Sequence, residues 1–317
     1  MKRALLLCVA ACGHGAAGAA ASSASGGRAH ALGDADRLVG LLPDGAQVIV
    51  ELDLARLRAN PVVGDVVRRA LDDVAVSTDV ELPMKLPTSP LSATTVVVLA
   101  AYGVGTAQAA TITLLATPGD VPGGRRVGAG VVALGPDSWL DQVDARAAVA
   151  ARAPGGQLGP SADMIELRDH AMPEGATGAA IRLTARLSFD ARIALARQTG
   201  VELAPAQMSV WADVADDFAL VVDADAGREA PKKLASMLRG VLATVADAPA
   251  LRALGLPNAL RDARQVKHGT WVRTIVAIGP AQLRRAVARA TTLLGPVDPG
   301  SGGSGAAAAA LGSGSAS

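Results

Sequence analysis

The chain has 317 residues, 50% of them hydrophobic and 19% charged, with a formal net charge of +1. That length buries a sizeable core and suffices for two domains, which excludes disorder of the whole chain. Aromatic residues make up only 2%, so the core is aliphatic, wide stacking platforms for bases or sugars are excluded, and the near-neutral balance gives no broad footprint for nucleic acid.

The amino terminus reads as an export signal. Lys2 and Arg3 form a positive start, Ala4 to Ala11 an apolar stretch, and Val9-Ala10-Ala11 places small residues before Cys12. This resembles the lipobox of bacterial lipoproteins, and that resemblance implies cleavage before Cys12 and lipidation of its thiol. Gly13 stands where an Asp would retain an enteric lipoprotein at the inner membrane, so the resemblance implies the outer membrane, facing the periplasm. The alternatives are a soluble periplasmic or secreted chain cut later, within Ala19-Ala20-Ala21, or a start codon placed too far downstream. The only other cysteine, Cys8, follows the bulky Leu7, and the body has no thiol for a disulfide, a zinc site or a nucleophile. From Gly13 to Gly27 the chain is nearly all Gly, Ala and Ser, which is the composition of a tether; fifteen such residues span about 20 Å.

Pro43-Asp44-Gly45-Ala46 opens a first module. Val48 to Leu52 reads as a strand, and Asp53 caps a short helix from Leu54 that Asn60-Pro61 interrupts. Val63, Val67 and Leu71 then fall four apart on one helical face. Thr95 to Ala101 and Ala110 to Ala116 form a hairpin around Gly103-Val104-Gly105, and Gly128 to Leu134 a further strand. Gly-Pro at 135–136 ends it, and a helix follows with Trp139 and Val143 inward.

Pro173-Glu174-Gly175-Ala176 echoes the first opening and starts a second module. Ala180 to Arg186 reads as a strand, and Ser188 caps a helix that Gly200 stops. Met208 to Val214 and Phe218 to Asp223 form a hairpin turned by Ala215-Asp216-Asp217. Pro231 starts a helix with a stripe of Leu234, Leu238, Val241 and Val245. A helical insertion around Ala248 to Asp262 precedes the strand Trp271 to Ile278. Gly279-Pro280 then leads into a helix with Leu283, Val287 and Leu294 inward and Arg284, Arg285 and Arg289 outward.

These elements predict the α+β class: an antiparallel or mixed sheet with helices on one face, built from two tandem copies of a β-α-β-β-β-α module. The predicted boundaries are a signal peptide at 1–11, a tether at 12–30, a first repeat at 31–157, a second with its helical insertion at 158–295, and a Gly/Ala/Ser tail at 296–317.

Catalytic signatures are sparse. Gly128-Ala129-Gly130 has neither the third Gly nor the helix start of a dinucleotide fingerprint and reads as a small-residue strand. Phosphate-cradling loops, paired-His helix motifs and Gly-x-Ser-x-Gly elbows are absent from the body. Asp223-Ala-Asp225-Ala-Gly227 imitates the start of a calcium loop, but Leu234 stands where its closing Glu belongs, so it reads as a solvated strand end. His170 follows Asp163, Glu166 and Asp169, a set able to supply a general base; the alternation of Ile165 and Leu167 reads equally as an edge strand. His268 beside Gly269 reads as a turn residue. No catalytic residue, cofactor or metal site is assigned, and Cys12 is the one residue given a molecular role.

The Pro-acid-Gly-Ala openings, the strand leading into Leu54-Ala-Arg-Leu-Arg-Ala-Asn-Pro61, and the Ala-rich modules resemble uncharacterised exported lipoproteins of myxobacteria, a likeness that implies no activity. The expectation is a membrane-anchored periplasmic lipoprotein with a non-enzymatic binding or scaffold role. Its partners would be the membrane itself and an envelope protein or lipid, with no nucleic acid. The alternative is an envelope hydrolase using His170 with neighbouring carboxylates.

Overall fold

The computed structural model describes residues 33–76, 91–152, 159–199, 204–227 and 230–294. Cys12, the tether, the Gly200 stop and the tail lie outside the described residues.

The chain is α+β, and its ten strands form one antiparallel sheet. In chain order they are β1 (Val48–Asp53), β2 (Val96–Tyr102), β3 (Ala110–Ala116), β4 (Arg125–Gly128), β5 (Val131–Leu134), β6 (Ile181–Arg186), β7 (Gln207–Val214), β8 (Phe218–Asp225), β9 (Arg264–His268) and β10 (Trp271–Ile278). The order across the sheet is β4-β5-β3-β2-β1-β6-β7-β8-β10-β9. The two halves join where β1 pairs β6, with Val50 opposite Leu183 and Glu51 opposite Arg182. Outward from that joint the strands succeed one another in the same way on both sides.

The helices are α1 (Asp34–Leu41), α2 (Leu54–Ala59), α3 (Gly64–Val76), α4 (Asp137–Arg152), α5 (Ala162–Asp169), α6 (Phe189–Thr199), α7 (Pro231–Ala246), α8 (Pro249–Leu254), α9 (Pro257–Arg261) and α10 (Pro280–Leu293). Local chemistry sets several starts. Asp53 Oδ1 accepts the Arg56 amide at 2.7 Å to cap α2, and Ser188 Oγ accepts the Ala191 amide at 3.2 Å to cap α6. Pro231, Pro249, Pro257 and Pro280 occupy first-turn positions, where no amide hydrogen is needed.

The helices cover both faces of the sheet, not one. On face one, α1, α4 and α5 bury Leu38, Leu140, Val143, Met164 and Leu167 against Val98, Ile112 and Leu114. On face two, α2, α3 and α10 bury Leu54, Leu57 and Leu283 against Val97, Leu99 and Leu115, while α7 to α9 cover Val272, Val276 and Ile278. The reason is in β2 and β3: Val96 to Ala100 and Ile112 to Ala116 are buried at every position, so neither surface of those strands can face water. The closing helices differ between halves, with α4 on face one and α10 on face two. Face one over β8, β10 and β9 therefore carries no helix of that kind.

Each half also has five strands rather than four. The strands missing from the expected module are β4 and β9, the two sheet edges, whose sequences Arg-Arg-Val-Gly and Arg-Gln-Val-Lys-His carry the charge that blunts an edge. Within Gly128-Ala129-Gly130 only Gly128 is a strand residue, the last of β4; Ala129-Gly130 form the turn into β5, with Gly130 at φ 69°. Residues 163–170 form helix α5 and its cap rather than an edge strand, because Met164 and Leu167, three apart, bury together while Ile165 stays 39% exposed. α5 packs into the core of the first half, across the expected boundary at 157/158. Leu294 points outward, 37% exposed, where the helical stripe placed it inward.

Candidate functional site

Face one between the halves holds a buried polar cluster. β1, β6, β7, β8 and β10 set Glu51, Thr184, Ser209, Asp223 and Arg273 beneath α5 and the segment that follows it. Sheet register puts Thr184, Ser209, Asp223 and Arg273 opposite one another in a row.

His170, the C-cap of α5, sits over that row. Its Nδ1 lies 3.0 Å from Asp223 Oδ2, and its ring stacks on Trp271 with centroids 4.0 Å apart. The Asp223 side chain is 2% exposed against 40% for His170. Arg273 holds the same carboxylate through Nε to Oδ1 at 2.9 Å and Nη2 to Oδ2 at 2.6 Å, and donates to the His170 carbonyl at 2.9 Å. The hydrogen bonds and charge of Asp223 outweigh partial burial and raise the Arg273 pKa.

A second cluster lies beside it. Arg168 Nε and Nη2 reach Glu51 Oε1 and Oε2, each at 2.6 Å, and Nη2 also meets Asp36 Oδ1 at 2.7 Å. Burial opposes the Arg168 charge, but the bonds and charges of Glu51 and then Asp36 overcome it and hold the guanidinium pKa above its ordinary value. Ser209, fully buried, accepts the Ala171 amide at 3.2 Å and donates to the Arg168 carbonyl at 3.4 Å. Its hydroxyl is committed to backbone on both counts.

The carboxylates expected around His170 go elsewhere. Asp163 pairs with Arg186, Asp169 with Arg182 at 3.1 Å, and Glu166 is exposed on α5. The partner is Asp223, which is buried rather than a solvated strand end; Asp225 in the same stretch accepts the Gly227 amide at 2.9 Å. One signal could have found it: Asp223 and Arg273 are charges of opposite sign set within the otherwise largely apolar runs Phe218–Asp225 and Trp271–Ile278. His268, expected in the turn, is instead the last residue of β9, paired with Trp271, and Gly269-Thr270 make the turn. Among the described residues, no group of three His, Cys, Asp or Glu side chains could hold a metal ion. No helix among them is long and apolar enough to cross a membrane.

No protein-family model and no curated protein matches the chain. A solved structure described as "Structure of crystal form I of TP0453" aligns with 81% of this chain and 98% of that chain, at 9% identity and a TM-score of 0.41.

Proposed function

We propose that the chain is an exported lipoprotein, anchored through Cys12 in the outer membrane and facing the periplasm, whose body binds or scaffolds an envelope partner rather than catalysing a reaction. The observation that carries this reading is the amino-terminal pattern: Lys2-Arg3, an apolar stretch, then Val9-Ala10-Ala11-Cys12. The chemistry of face one supports the non-enzymatic part. Arg273 grips both oxygens of Asp223, and Ser209 is tied to backbone. The His170 cluster acts as a clamp that fixes the end of α5 to β8 and β10. We read the shared strand order of the halves as a tandem duplication whose closing helices have taken opposite faces.

Feeding cells a labelled fatty acid tests the anchor. Label on the wild type that disappears in Cys12→Ala is the expected result; an unlabelled wild type, or label surviving the substitution, overturns it. The hydrolase reading keeps one favouring observation, the half-exposed His170 imidazole on a buried carboxylate. Ester or amide turnover by the purified protein that is lost in His170→Ala would establish it.

A further inference from the structure

From Pro249 to Leu294 the chain carries eight Lys or Arg residues and one acid, Asp262, although the whole chain stands at +1. Two of the eight are neutralised: Arg261 by Asp247 at 2.6 Å and Arg273 by Asp223. Arg252, Arg264, Lys267, Arg284, Arg285 and Arg289 are exposed and meet no carboxylate among the described residues. Ala286 of α10 packs with Leu251 of α8 and Leu260 of α9 against Val276 and Ile278 of β10, which brings Arg252 into one neighbourhood with the α10 arginines, while Arg264 and Lys267 lie on the edge strand β9 that pairs with β10.

α10 organises the patch. Its inner side buries Leu283 and Ala286, and its outer side contains no acid. Arg285, Arg289 and Leu293 follow one another four apart along that side, with Arg284 alongside. The Arg289 guanidinium crosses the left-handed Gly255 that ends α8, close to where a Cβ would stand, and joins the cations of α10 to that helix. Leu293 is 64% exposed and Leu294 37%, an apolar end on a cationic helix face.

We propose that this end of the molecule docks on an anionic lipid surface, with the α10 arginines among the headgroups and Leu293 and Leu294 at the edge of the acyl region. Charge complementarity favours a lipid surface. Unpaired arginines with no carboxylate between them gain from a negative surface potential, and the exposed leucines gain only where an apolar phase lies next to the charges. A nucleic acid offers no place for the leucines. The proposal rests on the exported, membrane-tethered reading for which membrane is met, but not for the contact itself.

The test uses the full chain carrying Cys12→Ala, so that no acyl chain contributes, with sedimentation on phosphatidylcholine vesicles with and without phosphatidylglycerol. Binding is expected only with the anionic lipid, and is lost at high salt. Each arginine is worth about fivefold, so Arg284→Gln/Arg285→Gln/Arg289→Gln weakens binding on the order of 100-fold. The corresponding triple Lys variant retains it, because a diffuse potential reads charge rather than guanidinium geometry. Arg37→Gln/Arg126→Gln/Arg152→Gln, an equal charge change in the first half, leaves binding within a few-fold. Circular dichroism melts confirm that every variant is folded. No binding to anionic vesicles, equal loss in the first-half control, or tighter binding to an oligonucleotide than to vesicles overturns the proposal. A wild type without fatty-acid label refutes the anchor alone and leaves this contact standing.

Discussion

Arg168 and Glu51, 117 positions apart in the chain, meet in a bidentate pair that locks α5 of the second half onto β1 of the first. Their side chains are 10% and 5% exposed. Removing one partner strands a buried charge, whereas removing both does not. Arg168→Met is expected to cost about 3–5 kcal/mol, and Glu51→Leu/Arg168→Met to recover most of it. Urea unfolding of the two variants checks this; equal losses would place the cost in packing rather than in charge.

Asp223 carries two partners, and both depend on its charge. Asp223→Asn is expected to cost about 1.5–3 kcal/mol, the range for bonds to charged groups, and His170→Ala about 1 kcal/mol, because the imidazole is half exposed. A thermal melt in which Asp223→Asn matches wild type would remove the clamp assigned to this cluster.

The Thr184 hydroxyl is buried under α5 with no hydrogen-bond partner. An orphan of that kind costs free energy that an isosteric methyl does not. Thr184→Val should therefore stabilise the fold by about 1 kcal/mol, read from the denaturation midpoint at unchanged slope.

Asp217, in the β7–β8 turn, has its pKa raised by burial; the bond to its own backbone opposes this and the neighbouring Asp216 charge adds to it. The folded state then holds this proton more tightly than the unfolded chain. The contribution of this group to stability is full below the ordinary carboxylate range and is lost as pH rises through its folded pKa. Asp217→Asn should gain at most about 0.5 kcal/mol over wild type at neutral pH, and the gain should vanish in acid. A gain that grows as pH falls contradicts the sign.

Strand β9 keeps the sheet edge charged with Arg264 and Lys267. Arg264→Val/Lys267→Val is expected to leave the melting temperature nearly unchanged and to drive edge-to-edge association beyond the wild type's own oligomeric state. Size-exclusion chromatography across a concentration series reads the outcome; a variant that elutes with the wild type argues that another feature protects this edge.

How much of this was legible in the sequence follows from which force shaped each element. β2, β3, β7, β8 and β10 carry long apolar or alternating runs, and the caps at Asp53 and Ser188 use a local rule that the fold preserves. β4 and β9 are not legible because the charged residues that keep a sheet edge from pairing also remove the apolar alternation by which strands are recognised. α5 was ambiguous because Ile165 and Leu167 imitate alternation over too few residues for a period to settle. Asp223 was legible only as one end of a pair. Its burial is set by the register of β8 against β10, which brings Arg273 opposite, and no local window contains both residues.

The joint between β1 and β6 bears on how the chain reaches its fold. β1 is complete as a sequence long before β6 has been synthesised, so until Ile181–Arg186 arrives it presents the raw edge Val-Ile-Val-Glu-Leu-Asp, with no lysine, proline or bulge to shield it. Closing that seam requires a chain loop on the order of a hundred residues, an entropic demand that places it late in folding. A second molecule at the same stage offers an identical vacancy. The misassembly this topology predicts is therefore an exchanged dimer in which each chain lends its β6 to the other's β1, favoured as the concentration of incompletely folded chains rises.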